Sequence, residues 1–253
     1  MDKLICGNVF VPLRLAPSHK SEQGSQILFG EKYLVIDSSG SWLKVRNEFD
    51  GYEGWIDGDH HLYYPDNNNS ASGILAKRTS FTDSSGNNLI LEPGSEIYMP
   101  GKKTGTFCIG DACFESPGKL ITHPGSTDPV ETAKEFLNSP YLWGGRTTGG
   151  MDCSGLTQLV YKIHGIALPR DSFKQAEIGE TISFINEAMA GDLLFFDNES
   201  GIINHVGIYM GNDRIIHCSG SVRTDRIDHQ GIFIESSGNY THRLRLIKRI
   251  KCK

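Results

Sequence analysis

The sequence predicts an α+β protein in two parts: an all-β N-terminal half of small barrels, then a half in which helices lead into an antiparallel sheet. Three observations carry that expectation. Short β-like runs recur about every 8 to 12 residues from Val9 to Ile56, helical apolar spacing begins only after Pro124-Gly125, and β-like runs return from Asp192 onward.

The first runs are Val9-Phe10-Val11, Gln26 to Phe29, Tyr33 to Ile36, Trp42 to Val45 and Tyr52 to Ile56, with Ser38-Ser39-Gly40 and Asp50-Gly51 as turns. They fit a small barrel over residues 1–65, with Trp42 and Trp55 expected in its core. Asp66-Asn67-Asn68-Asn69-Ser70 reads as a polar linker or long turn. A second β-rich stretch carries Leu89-Ile90-Leu91, Glu96 to Met99 and Phe107 to Ile109, so residues 66–125 are expected to form a degenerate second barrel. Its Leu91 to Tyr98 segment weakly echoes Leu28 to Tyr33.

Asp128-Pro129 then looks like a helix N-cap with proline at the first helical position, opening a third domain at residues 126–253. Val130, Ala133, Phe136 and Leu137 lie on one face of that helix. The clearest helix places Leu156, Leu159, Val160 and Ile163 at helical spacing and is closed by Gly165. Asp192 to Phe196, His205 to Met210 and Arg214 to Cys218 read as successive strands, with Gly211-Asn212-Asp213 turning between the last two. Arg243, Arg245, Lys248, Arg249 and Lys251 alternate with Leu244, Leu246 and Ile247, as a terminal strand with one wet face would.

The chain has 253 residues, 25 basic against 30 acidic side chains and a net charge of -5. That length buries ordinary cores without covalent staples, and the charge offers no cationic footprint for nucleic acid. No stretch reaches the roughly 18 apolar residues of a membrane span. The first residues lack a signal-peptide core, which predicts a cytosolic protein, or a periplasmic or exported one if a longer precursor is trimmed. The 6 cysteines are unevenly spread and are expected to be mostly reduced thiols. Cys108 and Cys113 could close a hairpin disulfide or supply half a metal site; no second Cys or His pair lies nearby at zinc spacing, which favours free thiols. No metal or cofactor is called for.

Cys153 is the first candidate for chemistry. A thiol opening a helix feels the positive end of the macrodipole and unpaired backbone N–H groups, which favour thiolate. Taken alone, a Cys there is more often a small core residue. Partners change that weighing. A hairpin centred on Gly211 sets residues 205 and 217 opposite one another, give or take a residue, so His205 and His217 should be neighbours across the ladder. A Cys nucleophile needs a base within hydrogen-bond reach and a third group to fix that base's tautomer.

Asp152-Cys153-Ser154-Gly155, the preceding Tyr141-Leu142-Trp143-Gly144-Gly145, Gly191-Asp192-Leu193, Asn204-His205-Val206-Gly207-Ile208-Tyr209 and Ile216-His217 together resemble the NlpC/p60 family of papain-like cysteine peptidases, over about Asp128 to Arg249. The resemblance implies cleavage of cell-wall peptides, with Cys153 as nucleophile, His205 as general base and later acid, and His217 orienting it. It gives Tyr141 a place in binding the oxyanion, and Asp152, Ser154 and Trp143 places beside the substrate.

The N-terminal half resembles bacterial SH3-like (SH3b) domains, and the whole chain is similar to the peptide-recycling branch of the family, the γ-D-glutamyl-L-diamino acid endopeptidases. That implies a murein tripeptide or tetrapeptide substrate, L-Ala-γ-D-Glu-diamino acid, with a free N-terminus. In Leu168-Pro169-Arg170-Asp171-Ser172 the branch uses Asp171 and Ser172, beside Arg170, to hold the ammonium, whose burial needs a counter-charge. Asp171 reads equally well as a helix N-cap. By the same resemblance Glu22 and Tyr52 wall off the pocket beyond the L-Ala, with Tyr63 and Tyr64 as competitors for the tyrosine. An amidase or acyltransferase on the same fold, and a non-catalytic cell-wall binding protein, are the alternatives. Cys218, beside His217, should face the other way into the core.

Overall fold

The computed structural model describes residues 3–59, 62–65, 73–83, 85–98, 106–109, 112–115 and 128–251. The expected linker from Asp66 to Ser70, Met99 and Cys252 lie outside them. The chain divides into two compact units, Met1–Pro124 with Trp143–Thr148, and Gly125–Leu142 with Gly149–Lys253.

In the first unit a seven-stranded antiparallel sheet runs in the order Gln23–Leu28, Phe10–Arg14, Glu53–Asp57, Trp42–Asn47, Lys32–Ser39, Lys3–Cys6, Tyr63–Pro65. Its alternating residues Leu4, Val11, Leu13, Ile27, Tyr33, Val45 and Ile56 close one core. Trp42 and Trp55 are not in that core. Leu43 and Ile56 are cross-strand partners and point inward, so the pleat turns Trp42 and Trp55 to the outer face, where both are half-buried.

The second β-rich stretch contributes a four-stranded sheet, Asn88–Leu91, Thr79–Asp83, Ala112–Glu115 and Thr106–Ile109, and the pair Gly73–Ile74 with Glu96–Ile97. Its core of Leu75, Phe81, Leu91, Ile97, Phe107 and Ile109 is completed by Ile5 and Phe29 of the first sheet. Cys108 and Cys113 form a disulfide here, contrary to the free thiols expected. They are direct cross-strand partners beside a tight hairpin, with Cα atoms 4.1 Å apart, which the sequence spacing alone did not resolve.

The second unit begins as expected. The Asp128 carboxylate accepts from the Val130 N–H at 2.9 Å, and Pro129–Lys134 is helical. The helix ends before Leu137, which is exposed, while Val130, Ala133 and Phe136 are buried. Cys153–Ile163 is the central helix, buried on every side and followed by Gly165 at φ 77. It packs on the strands Ile203–Gly211 and Arg214–Ser219 of a seven-stranded sheet. That sheet runs Glu180–Ile182, Asn239–Arg249, Leu193–Asp197, Ile203–Gly211, Arg214–Ser219, Ser221–Ile227, Gly231–Ile234, and the last strand pairs back to Asn239–Arg249. Among the described residues, no helix is long and apolar enough to cross a membrane.

The hairpin carrying the two histidines differs in register from the one expected. Asn212 and Asp213, both at positive φ, form its two-residue turn, and a bulge follows Tyr209. His217 therefore stands opposite Gly207, two residues further along than His205. A shift of two keeps both side chains on one face; a shift of one would have separated them.

Candidate active site

Cys153 is the first residue of its helix and is buried. Asp152 caps that helix by accepting from the Gly155 N–H at 2.7 Å. The same carboxylate receives a two-pronged ion pair from Arg170, at 2.6 and 2.9 Å, and Arg170 also donates to the Ser154 hydroxyl at 2.9 Å. Asp152, Ser154 and Arg170 are thus brought together as one buried network that fixes the start of the helix. Burial disfavours the Arg170 charge, but Asp152 outweighs it and holds the guanidinium pKa above its ordinary value.

The thiol itself departs from the expectation of a ready thiolate. Burial, and then the neighbouring Asp152 carboxylate, push Cys153 up to about 12, while hydrogen bonds from the backbone of Val206 and Ser154 and the Arg170 charge only partly oppose them. The helix terminus does not overcome desolvation here. The contact with Val206 sets the sulfur against the residue that follows His205.

His205 and His217 meet at 2.8 Å, Nε2 to Nδ1, with their rings edge to face. Gly207 makes the meeting possible. A Cβ there would fall 2.9 Å from the His217 Cβ and 2.7 Å from Ile215 Cδ1. Burial, then the His217 and His242 charges, hold His205 well below the usual histidine range. His205 and His217 are both buried.

Tyr141 is partly exposed, and its phenol is raised to about 12 by burial and then by Cys153 and Asp152, which puts it within electrostatic reach of the sulfur. Asp171 occupies the N-cap position of the short helix Ser172–Gln175, yet its side chain makes no capping hydrogen bond. It faces Lys174 at 3.6 Å instead, and Ser172 beside it is buried. Cys218 is buried as expected, its thiol donating to the Met151 carbonyl at 3.1 Å.

The other three sequence candidates belong to the first unit and lie together. Trp143 donates its indole N–H to Glu22 at 2.6 Å and accepts at its carbonyl from Gln23 at 3.2 Å. The Tyr52 hydroxyl sits over Gly24, where a Cβ would come within 2.5 Å of it. Tyr63 and Tyr64 lie on the edge strand paired with Lys3–Cys6, and Tyr64 covers Gly7.

Sequence reasoning missed two residues. Asp225 accepts from His217 Nε2 at 3.0 Å, and His242 stacks on His205 with ring centroids 4.2 Å apart. The Ser219-Gly220-Ser221 turn could have found the first, because it folds Ser221–Ile227 back so that Arg223 opposes His217 and Asp225 follows on the same face. His242 reaches the site from the last strand by a pairing no local pattern announces.

A buried cysteine on a helix start, with a chain of imidazoles ending on a carboxylate, defines the class of thiol-dependent hydrolases. A family model described as the NlpC/P60 family matches residues 138–240, and one described as a bacterial dipeptidyl-peptidase Sh3 domain matches residues 13–60. The chain is 31% identical over 232 residues to a gamma-D-glutamyl-L-lysine dipeptidyl-peptidase of Bacillus cereus, covering 80% of this chain and 69% of that one. It is 31% identical over 211 residues to the protein of the same name from Bacillus subtilis, covering 76% and 71%. A solved NlpC/P60 family protein from Bacillus cereus shares the fold, with a TM-score of 0.82 over 98% of this chain and 99% of that one at 22% identity. The chain belongs to the NlpC/P60 family of cysteine peptidases.

Proposed function

We propose that this peptidase hydrolyses the bond between γ-D-Glu and a diamino acid in murein peptides that begin with a free L-Ala, releasing L-Ala-D-Glu. The observation that carries the reading is Asp171. It stands where an N-cap would, makes no capping bond, and sets a carboxylate beside the buried Ser172 hydroxyl that a substrate ammonium could take in place of the exposed Lys174 at 3.6 Å. The two relatives named as gamma-D-glutamyl-L-lysine dipeptidyl-peptidases support it.

In this reading His205 takes the Cys153 proton as the sulfur attacks the γ-D-Glu carbonyl carbon. The oxyanion is received by the Cys153 backbone N–H and the Tyr141 hydroxyl. Collapse breaks the C–N bond, His205 returns the proton to the departing amine, and a water activated by His205 then cleaves the thioester.

The test offers L-Ala-γ-D-Glu-L-Lys, free and N-acetylated, to the wild type and to Cys153→Ala. Release of the dipeptide from the free peptide by the wild type alone is expected. Equal cleavage of the N-acetylated peptide would overturn the ammonium reading, and hydrolysis by Cys153→Ala would overturn the nucleophile.

A further inference from the structure

The proposed histidine pair does not end at His217. The His217 Nε2 lies 3.0 Å from Asp225 Oδ2, and the other Asp225 oxygen takes the Arg223 Nη2 at 2.7 Å. Asp225 is buried while the Arg223 side chain is partly exposed. Burial works against this carboxylate, but the hydrogen bonds from His217 and Arg223 outweigh it and hold Asp225 below its ordinary range.

We infer that Asp225 is a positioning residue for the peptidase reaction, fixing through His217 which ring nitrogen of His205 is engaged, Nε2, and so leaving Nδ1 as the one for proton exchange with Cys153. An ionised carboxylate only accepts, so His217 carries its proton on Nε2, and in the neutral ring Nδ1 is bare. That bare Nδ1 lies 2.8 Å from His205 Nε2, which must then be the protonated nitrogen of His205. Nδ1 of His205 is left with the lone pair a base needs. Arg223 sets the polarity of the chain at its far end, because a guanidinium only donates and so demands an oxygen.

This rests on the proposed roles of Cys153, His205 and His217 but not on the identity of the substrate. Asp225→Asn separates the inference from a merely structural role. Its amide oxygen is claimed by Arg223, so its NH2 faces His217 Nε2 and drives the His217 proton to Nδ1, where it meets the N–H of His205. The turnover number is expected to fall roughly 10²- to 10⁴-fold with KM little changed, the loss a wrong tautomer brings to a base of this kind. Removing the constraint in Asp225→Asn/Arg223→Ala lets the amide turn its oxygen to His217, and at least about tenfold of the loss should return.

A measurement on the wild type needs no substrate. Nitrogen-15 spectra of histidine-labelled protein at neutral pH are expected to show His217 protonated at Nε2 with a bare Nδ1, and His205 carrying a proton on Nε2. His242 packs on both rings, Asp225 meets His217 and Arg223 holds Asp225, so spectra of His242→Phe identify the third ring. A His217 proton on Nδ1 in the wild type, or full turnover in Asp225→Asn, overturns the inference. Either result leaves the Cys153→Ala and N-acetyl tests standing, so the two failures are distinguishable.

Discussion

Arg170→Met probes what holds the nucleophile in place. The Asp152–Arg170 pair is almost fully buried, with side chains 7% and 2% exposed, and it is two-pronged. Removing the guanidinium leaves a buried carboxylate whose remaining support includes the Gly155 N–H at 2.7 Å. Breaking one side of such a pair costs about 3 to 5 kcal/mol, against a typical domain stability of about 5 to 15 kcal/mol. The assay must report on the second unit. All 3 tryptophans, Trp42, Trp55 and Trp143, belong to the first, so intrinsic fluorescence would miss the effect. Amide hydrogen exchange along Cys153–Ile163 is the local probe, and the variant is expected to exchange about 10² to 10⁴ times faster there. The charge-removing double variant Asp152→Asn/Arg170→Met should recover much of the loss, because the uncompensated charge is the larger part of it. Protection of that helix within tenfold of wild type in Arg170→Met would show that the pair is not what anchors the helix start.

Gly207→Ala places a Cβ 2.9 Å from the His217 Cβ, so it should cost about 1 to 3 kcal/mol of overpacking and slow single-turnover hydrolysis by displacing the imidazole; unchanged kinetics would show that the strand absorbs the methyl. His205 and His242 both titrate lower folded than unfolded, His242 at about 4. The unfolded chain therefore binds more protons below pH 6.5 or so, and stability is lost as pH falls from there through the folded values, with nothing lost above. Urea midpoints by circular dichroism at pH 7 and pH 5 read this, and His242→Phe should flatten the slope; an unaltered slope would remove His242 from the account.

Much of the fold was legible because its signals are local. Alternation placed the strands of the first sheet, Asp128-Pro129 placed a helix start, and the spacing of Leu156, Leu159, Val160 and Ile163 placed the central helix. The strand Lys3–Cys6 and the edge strand Tyr63–Pro65 carried no such pattern, because they are defined by partners more than 25 residues away. The Cys108–Cys113 disulfide and the outward turn of Trp42 depend on which face of a pleat each residue takes, and composition does not state that. In the site, Cys153, His205 and His217 could be paired because a single hairpin relates the histidines. Asp225 needed the register of the next hairpin, and His242 needed the sheet to pair its last strand back, a non-local closure.

The departure that matters most for chemistry is the state of the sulfur. Burial, and then Asp152, push the Cys153 thiol up to about 12, so the sulfur needs a base placed to take its proton. A standing thiolate–imidazolium pair would be indifferent to tautomer, since an imidazolium carries both protons. A neutral pair is not: the lone pair must already sit on the nitrogen that faces the thiol when the carbonyl arrives. In either state the proposed Asp225–His217 chain decides which nitrogen of His205 is engaged and which is left for the sulfur's proton.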